Sequence, residues 1–121
     1  MYSISGAVLD QIRQSLCVPE SGGILGVNAD CLVTEFHFDN TGVTAKRIYV
    51  PDTERLNVVI CEWSLRGIKF VGFVHSHSEG KKNLSAVDIH YAEKIKRYCA
   101  LSEILMLLYL PADESFHQYV L

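Results

Sequence analysis

The sequence predicts a mixed α/β (α+β) domain, because three helical patterns alternate along the chain with about six strand-like segments. A chain of 121 residues is long enough for one hydrophobic core but not for two, so we expect a single domain over residues 1–121. Hydrophobic residues make up 49% of the chain and charged residues 21%, which is ordinary for a soluble globular protein.

Charge and hydropathy argue against several classes of function. The net charge of −3 gives no electrostatic reason to expect nucleic acid or an anionic membrane as a partner. The longest apolar run, residues 104–110, is too short to cross a membrane and is typical of a buried strand. The N-terminal segment carries Asp10 and Arg13 within its apolar pattern, unlike a signal peptide, so the sequence predicts a cytoplasmic protein.

The four cysteines are far apart in the sequence: Cys17, Cys31, Cys61 and Cys99. Because no C-x-x-C pair occurs, a zinc ribbon is excluded. In a reducing compartment we expect them to act as small buried hydrophobic residues, with a disulfide or a regulatory thiol as the less favoured alternative.

The first predicted helix begins at a cap, Ser5, and is closed by Pro19, since the residue before a proline is disfavoured in a helix. Its apolar stripe has helical spacing: Val8, Leu9, Ile12 and Leu16. Residues 20–27 then place a carboxylate, Glu20, before a glycine-rich strand. The glycines indicate close backbone approach rather than phosphate binding, because no G-K-[ST] follows.

The middle of the chain predicts a hairpin and a second helix. Residues 32–38 and 43–50 have the composition of two strands, and residues 39–42 that of the turn between them. The second helix starts around Asp52, and Gly67 stands where a helix C-terminus favours a left-handed residue. Its apolar residues fall at i, i+3, i+4 and i+7: Leu56, Val59, Ile60 and Trp63.

The third predicted helix is capped by Ser85, and Asp88 three residues later completes a capping-box pattern. Asp88 extends by one turn the predicted apolar face, which consists of Tyr91, Ala92, Ile95, Tyr98 and Cys99. A carboxylate on the core side of a helix is costly unless it is paired, hydrogen-bonded or metal-bound. Residues 104–110 and 116–121 close the chain as two further strands.

Two histidines end the most apolar strand of the chain, residues 70–74. In an extended backbone alternate side chains share one face at a spacing of about 7 Å, so His75 and His77 point at the same place. A zinc ion with Zn–N distances of roughly 2.1 Å fits between them, and Asp88 is the candidate for a third ligand. Such a set leaves one position for water, as in catalytic zinc sites.

A metal-bound water needs further groups if it is to act as a nucleophile. Zinc lowers the pKa of bound water to about 7, and Glu20 is the candidate for the base that takes its proton. The Ser85 hydroxyl could donate a hydrogen bond to an oxyanion. A simple capping box would explain Ser85 and Asp88 taken alone, but not two same-face histidines a short loop upstream.

An upstream glutamate followed by H-x-H, seven residues and S-x-x-D resembles the signature of the JAMM (MPN+) metalloprotease family, also called Mov34/MPN/PAD-1. The matching residues are Glu20, His75, His77, Ser85 and Asp88, and the resemblance covers nearly the whole chain. It implies a cytidine-deaminase-like arrangement of three layers, with a central mixed sheet and about three helices. It also implies one Zn²⁺ per chain, held by the two histidines, the aspartate and a water. The glutamate is then the general base, and the serine helps to stabilise the tetrahedral intermediate.

Members of this family hydrolyse peptide or isopeptide bonds after the C-terminal Gly-Gly of ubiquitin or ubiquitin-like proteins. This chain has Ser78 and Val27 where the family usually has a proline and a glycine, and neither change removes a ligand. It also lacks room for the insertions that eukaryotic relatives use. The resemblance thus implies a small, stand-alone, prokaryote-like member that binds the tail of a ubiquitin-like or sulfur-carrier protein as an added strand.

Two other classes of function are alternatives to this enzyme. A non-catalytic MPN-type scaffold is the alternative, although relatives of that kind have usually lost ligands and this chain has kept them all. A zinc deaminase of the cytidine type would need H-x-E and a downstream P-C-x-x-C, and the sequence contains neither.

Overall fold

The structure is a computed structural model that describes residues 1–18, 20–40, 43–45, 48–78 and 81–121. Within these residues the helices are α1 (Gly6–Ser15), α2 (Thr53–Leu65) and α3 (Ala86–Tyr98). The strands are β1 (Ser3–Ile4), β2 (Gly22–Val27), β3 (Leu32–Phe38), β4 (Val43–Ala45), β5 (Ile48–Val50), β6 (Lys69–Ser76), β7 (Leu105–Leu110) and β8 (Ser115–Val120). The predicted mixed α/β class is confirmed.

Six of these strands form one mixed sheet in the order β1-β3-β2-β6-β7-β8, and β4 pairs with β5 in a separate two-stranded sheet. The central strand β6 runs antiparallel to β2 and parallel to β7. Since β6 has partners on both sides, its backbone polar groups are satisfied by the sheet and its direction is fixed along its length.

The sheet is covered on both faces, and the alternation of its side chains explains how. On one face α1 and its C-cap contribute Val8, Ile12 and Leu16 to a core with Leu25, Val74 and Leu107. On the other face α2 and α3 pack on the sequence neighbours of those strand residues: Ile24, Phe73 and Met106. Because successive strand residues point to opposite faces, one sheet supports two cores. The result is a three-layer arrangement with a central mixed sheet.

The predicted hairpin between residues 32–38 and 43–50 is wrong. Instead, β3 pairs antiparallel with β2 and parallel with β1, and residues 43–50 contain the separate β4–β5 pair. The physical reason lies partly in the glycines, since a Cβ at Gly23 would collide with the His37 carbonyl oxygen of β3. The predicted turn at 39–42 lies partly outside the described residues.

The predicted helix ends agree with the structure where it describes them. The side chains of Ser5 and Asp52 cap α1 and α2, and Gly67 after α2 has a left-handed φ of 76°. Pro19, the predicted terminator of the first helix, lies outside the described residues, and α1 ends at Ser15. Among the described helices none is long and apolar enough to span a membrane.

Two predictions of burial are wrong. All four cysteines are free and exposed, because they lie beyond α1, in a turn, on the solvent side of α2 and at the end of α3. On α3 the side chain of Ala92 is buried, but Tyr98 is 81% exposed. The C-terminal half of α3 lines an open groove of about 550 Å³ between α2 and α3, so its apolar face is only partly covered.

Candidate metal centre

The two histidines of H-x-H stand at the end of the central strand. His75 lies in β6, opposite Gly22 of β2 and Leu108 of β7. His77 follows the strand directly, and its N–H donates to the Tyr109 carbonyl at 3.1 Å, which continues the extended path. Both residues are buried, and their Nε2 atoms are 2.9 Å apart. The structure therefore brings the two imidazoles to one point.

Asp88 reaches the same point from the first turn of α3. Its Oδ2 lies 3.3 Å from Nε2 of His75 and 3.3 Å from Nε2 of His77. The same oxygen accepts the backbone N–H of Ser85 at 2.8 Å, as part of a complete capping box. The capping-box interpretation and the metal-ligand interpretation of Asp88 are thus compatible, because one carboxylate serves in both.

The spacing of these three side chains fits a bound metal ion. With bonds of roughly 2.1 Å, ligand atoms lie about 3.4 Å apart in a tetrahedral site and about 3.0 Å apart at the right angles of an octahedral one. The observed separations of 2.9, 3.3 and 3.3 Å lie within about 0.1 Å of these two values. His75, His77 and Asp88 form a group that could hold a metal ion.

A hydrogen bond to a residue outside the His75–His77–Asp88 group orients the ring of His77 for metal binding. Its Nδ1 lies 3.0 Å from the carbonyl oxygen of Lys81. Since a carbonyl can only accept, we assign the ring proton to Nδ1, and the lone pair of Nε2 then faces Asp88 and His75. Metal-binding histidines commonly donate their other ring N–H in this way, which fixes the tautomer and the ring orientation.

The electrostatics of the group favour positive charge. Burial lowers the pKa of His77, but hydrogen bonds to Asp88 and Lys81 and the charges of Asp88 and Glu20 outweigh it, so the pKa is raised. Burial raises the pKa of Asp88, but its hydrogen bonds to the two imidazoles outweigh this, and the pKa falls well below its usual range. A cation, whether protons or a metal, is therefore stabilised between these side chains.

Glu20 is brought to the same region from a distant part of the chain. It is buried, and its backbone N–H donates to the carbonyl of Ser76 at 2.8 Å. Its charge is the last of the causes that raise the pKa of His77. Its φ of 63° is left-handed, a conformation that costs a residue with a side chain about 1–2 kcal/mol. Such a conformation persists only where the surroundings impose it.

Ser85 lies beside the group but is exposed. Its Oγ accepts the backbone N–H of Asp88 at 3.1 Å. A hydroxyl can accept and donate at once, so the Ser85 O–H stays available for a further acceptor. The structure thus places Ser85 next to the predicted ligands, and its role towards an oxyanion stays a prediction.

Ser76, the residue between the two histidines, belongs to the site although no role was predicted for it. Its side chain is fully buried and binds the segment on either side of Glu20. One signal was present in the sequence. On a strand, the residue between two same-face ligands points to the opposite face, and a buried hydroxyl there requires a partner.

Fold and site together define a class of protein in coarse terms: a three-layer α/β domain with a His–His–Asp group at the end of its central strand. A scan against protein-family models gives no match, and a search of curated proteins gives none either. Among solved structures, 66 chains are similar to this one.

One of these structures is the solution structure of protein DSY2949 from Desulfitobacterium hafniense, a target of the Northeast Structural Genomics Consortium. The TM-score is 0.65 at 19% sequence identity, and the alignment covers 99% of this chain and 82% of that chain. At this identity the likeness shows a shared fold alone.

Proposed function

We propose that this protein is a cytoplasmic zinc-dependent (iso)peptidase of the JAMM (MPN+) type. Its substrate would be a ubiquitin-like or sulfur-carrier protein, cleaved after a C-terminal Gly-Gly. One observation carries the proposal: the ligand residues of the H-x-H-x7-S-x-x-D pattern converge on one point, with donor atoms 2.9–3.3 Å apart. A capping box alone gives no reason for this convergence.

Zinc is the metal we propose, because two imidazoles and one carboxylate are a ligand set of catalytic zinc sites. The distances also allow an octahedral ion such as iron, which the same three ligands can hold. Metal analysis of the purified protein separates the two. When bound, zinc would lower the pKa of a coordinated water to about 7.

The other steps of the reaction would be carried out by side chains of the protein. The carboxylate of Glu20 accepts a proton from the attacking water and delivers it to the nitrogen of the leaving amine. The Ser85 hydroxyl donates to the carbonyl oxygen as negative charge develops there. His75, His77 and Asp88 hold the metal, and the Lys81 carbonyl keeps His77 in the required tautomer.

The burial of the site supports a slender substrate. Glu20, His75 and His77 are between 4% and 8% exposed, so we expect little room beside them for bulky side chains next to the cleaved bond. Glycines carry no side chain and let a backbone approach closely. A Gly-Gly tail in an extended conformation is therefore the kind of segment that this site would accept.

The test is a cleavage assay on a panel of ubiquitin-like domains that carry a C-terminal extension after Gly-Gly, as peptide and as isopeptide fusions. We expect the zinc-loaded protein to cleave at least one fusion, a chelator to stop cleavage, and added zinc to restore it. Fusions in which both glycines are changed to valine should resist. Failure to cleave any fusion, or cleavage that a chelator leaves unchanged, would contradict the proposal.

A matched pair of variants tests the assignment of the base. Glu20→Gln should keep zinc and lose turnover by a factor of about 10²–10⁴, the range for loss of a general acid–base. Glu93→Gln, an exposed change on α3, should behave like the wild type. If Glu20→Gln kept near-normal turnover, the base would have to be another residue.

The alternative is a non-catalytic scaffold of the MPN type. A purified protein that binds no stoichiometric divalent metal would favour that scaffold. The convergence of three intact ligands argues for the enzyme.

A further inference from the structure

Ser76 separates the two histidines in sequence and points away from them. Because side chains alternate along β6, Ser76 lies on the face of the sheet that carries Val74 and α1. It is 0% exposed, as is Val74 beside it on that face. A hydroxyl in such a place loses its hydration, so its hydrogen bonds inside the protein determine whether the fold tolerates it.

Those hydrogen bonds all reach the short segment that carries Glu20. The Ser76 Oγ donates to the carbonyl of Val18 at 2.8 Å and accepts the backbone N–H of Ser21 at 3.1 Å. The hydroxyl of Ser21 lies 3.2 Å from the Ser76 Oγ and itself donates to Val18 at 2.7 Å. The side chain of Ser76 therefore binds Val18 and Ser21, which lie on either side of Glu20 in the chain.

The backbone of Ser76 binds the same segment. Its carbonyl accepts the N–H of Glu20 at 2.8 Å, and its N–H donates to the carbonyl of Ser21 at 2.9 Å. The backbone and the side chain of Ser76 thus hydrogen-bond to Glu20 and to residues on both sides of it. The φ of Glu20, 63°, is disfavoured for a residue with a Cβ. Gly22 of β2 lies opposite His75, and the backbone bond from Glu20 to Ser76 continues this pairing, so Glu20 lies beside the end of β6 that carries the two histidines.

We propose that Ser76 is a positioning residue: its hydroxyl binds Val18 and Ser21 and so holds Glu20 beside the His75–His77–Asp88 group. It acts through Glu20 and does not touch the metal or the substrate. The catalytic part of this inference rests on the proposed function. The conformational part concerns the protein without substrate and is tested separately.

The first test is a measurement that needs no activity. Amide hydrogen exchange of the zinc-loaded protein, followed by NMR, should show protection at Glu20 and Ser21, whose N–H groups bind Ser76. In Ser76→Ala we expect exchange at Ser21 to become at least about tenfold faster, because its acceptor is gone and the segment opens locally. Unchanged exchange at Ser21 would overturn the proposal.

Val33→Ala is the matched control. Val33 is a fully buried residue of the same core, on β3, and its truncation loosens the α1 face without removing a hydrogen bond to residues 18–21. We expect Glu20 and Ser21 to keep their protection relative to the rest of the sheet. If Val33→Ala exposed them as much as Ser76→Ala does, the effect would be general loosening and the proposal would be wrong.

The second test is kinetic and uses a double-mutant cycle with the cleaved fusion. Ser76→Ala should keep its zinc and its KM while kcat falls by about 10–100-fold, the size expected for a misplaced catalytic group. Ser76→Thr, which keeps the hydroxyl, should recover part of the loss. In the Glu20→Gln background the same Ser76→Ala change should alter residual kcat by less than about twofold, since coupled residues are non-additive.

The outcomes of the two tests separate this inference from the proposed function. If Ser76→Ala lowered kcat by the same factor in the wild type and in Glu20→Gln, Ser76 would not act through Glu20. That result would overturn the inference. If the wild type cleaved none of the fusions while Ser21 exchange responded to Ser76→Ala, the proposed function would fail. The role of Ser76 in holding Val18 and Ser21 would then stand, because its evidence is independent of turnover.

Discussion

The metal group has two halves that reach one point by different means. His75 lies in the central strand with sheet partners on both sides, and His77 follows it directly, with its N–H bonded to Tyr109; they are 4% and 6% exposed. Asp88 lies in the first turn of α3, with its side chain 21% exposed and held by the local bonds of a capping box. The position of the two histidines, the strand half, is therefore fixed by the sheet, whereas the position of Asp88, the helix half, is fixed by one turn of a helix.

The packing of α3 strengthens this contrast. Ala92 is the buried residue of that helix, and the open groove of about 550 Å³ runs between its C-terminal half and α2. Elements with few buried contacts open more easily than core strands. We therefore expect changes in the strand half to remove metal binding, and changes in the helix half to weaken it by degrees.

The largest effect should come from the strand half. His77→Ala removes a ligand on a rigid support that cannot move to replace it, so metal affinity should fall by more than about 100-fold, the upper range for loss of an outer-shell partner. Metal content after dialysis measures this. His90→Ala, an exposed histidine on α3, is the control and should retain metal. Equal metal content in both variants would show that His77 is not a ligand.

Asp88→Asn should have an intermediate effect. The amide keeps the shape of the side chain and an oxygen that can accept the Ser85 N–H, but it removes the negative charge from the group. We expect affinity to fall by about 10–100-fold with little change in unfolding, by analogy with other changes that weaken a site without abolishing it. Competition with a chelator of known affinity measures the loss. A loss as large as that of His77→Ala would remove the distinction between the two halves.

Ser85→Ala should act on the helix half alone. Loss of an N-cap side chain costs about 1 kcal/mol, which urea denaturation of the metal-free protein would detect. Because the cap also orients Asp88, a modest decrease in metal affinity should accompany it. Ser64→Ala, an exposed change on α2, should leave the free energy of unfolding within about 0.5 kcal/mol of the wild type. An unchanged stability of Ser85→Ala would mean that the cap contributes nothing to the site.

The smallest effect we expect is a pH dependence that couples the two halves in the metal-free protein. The lowered pKa of Asp88 gives stability that is present above pH 3.8 and is lost as the pH falls through its folded pKa. The raised pKa of His77 gives stability that is present below pH 6.5 and is lost as the pH rises through its folded pKa.

The free energy of unfolding of the metal-free wild type should therefore be larger near pH 5 than near pH 8, and Asp88→Asn should reduce this difference. Metal affinity should change in the opposite direction, because imidazoles must lose their protons to bind a metal. Urea titrations at the two pH values measure the first effect, and chelator competition the second. A metal-free protein that was more stable at pH 8 would show that the carboxylate–imidazolium pair does not contribute.

Local patterns explain why much of the site was predictable. The capping box of Ser85 and Asp88 and the shared face of His75 and His77 depend on backbone geometry within two or three residues, so spacing alone indicates them. The left-handed Gly67 after α2 was predicted on the same basis. Prediction failed where burial depended on distant elements, as for Tyr98 and the four cysteines.

The sequence by itself determined the periodicities, caps and ligand types of this protein, because each is set by the geometry of one helix or one strand. The tertiary structure decided which strands pair and which residues 55 positions apart meet, as Ser21 and Ser76 do beside Glu20. Pairing of this kind depends on how all the apolar faces are buried together, and no short segment carries that information. The hydrogen bonds that hold Glu20 in place therefore form only when the sheet has folded.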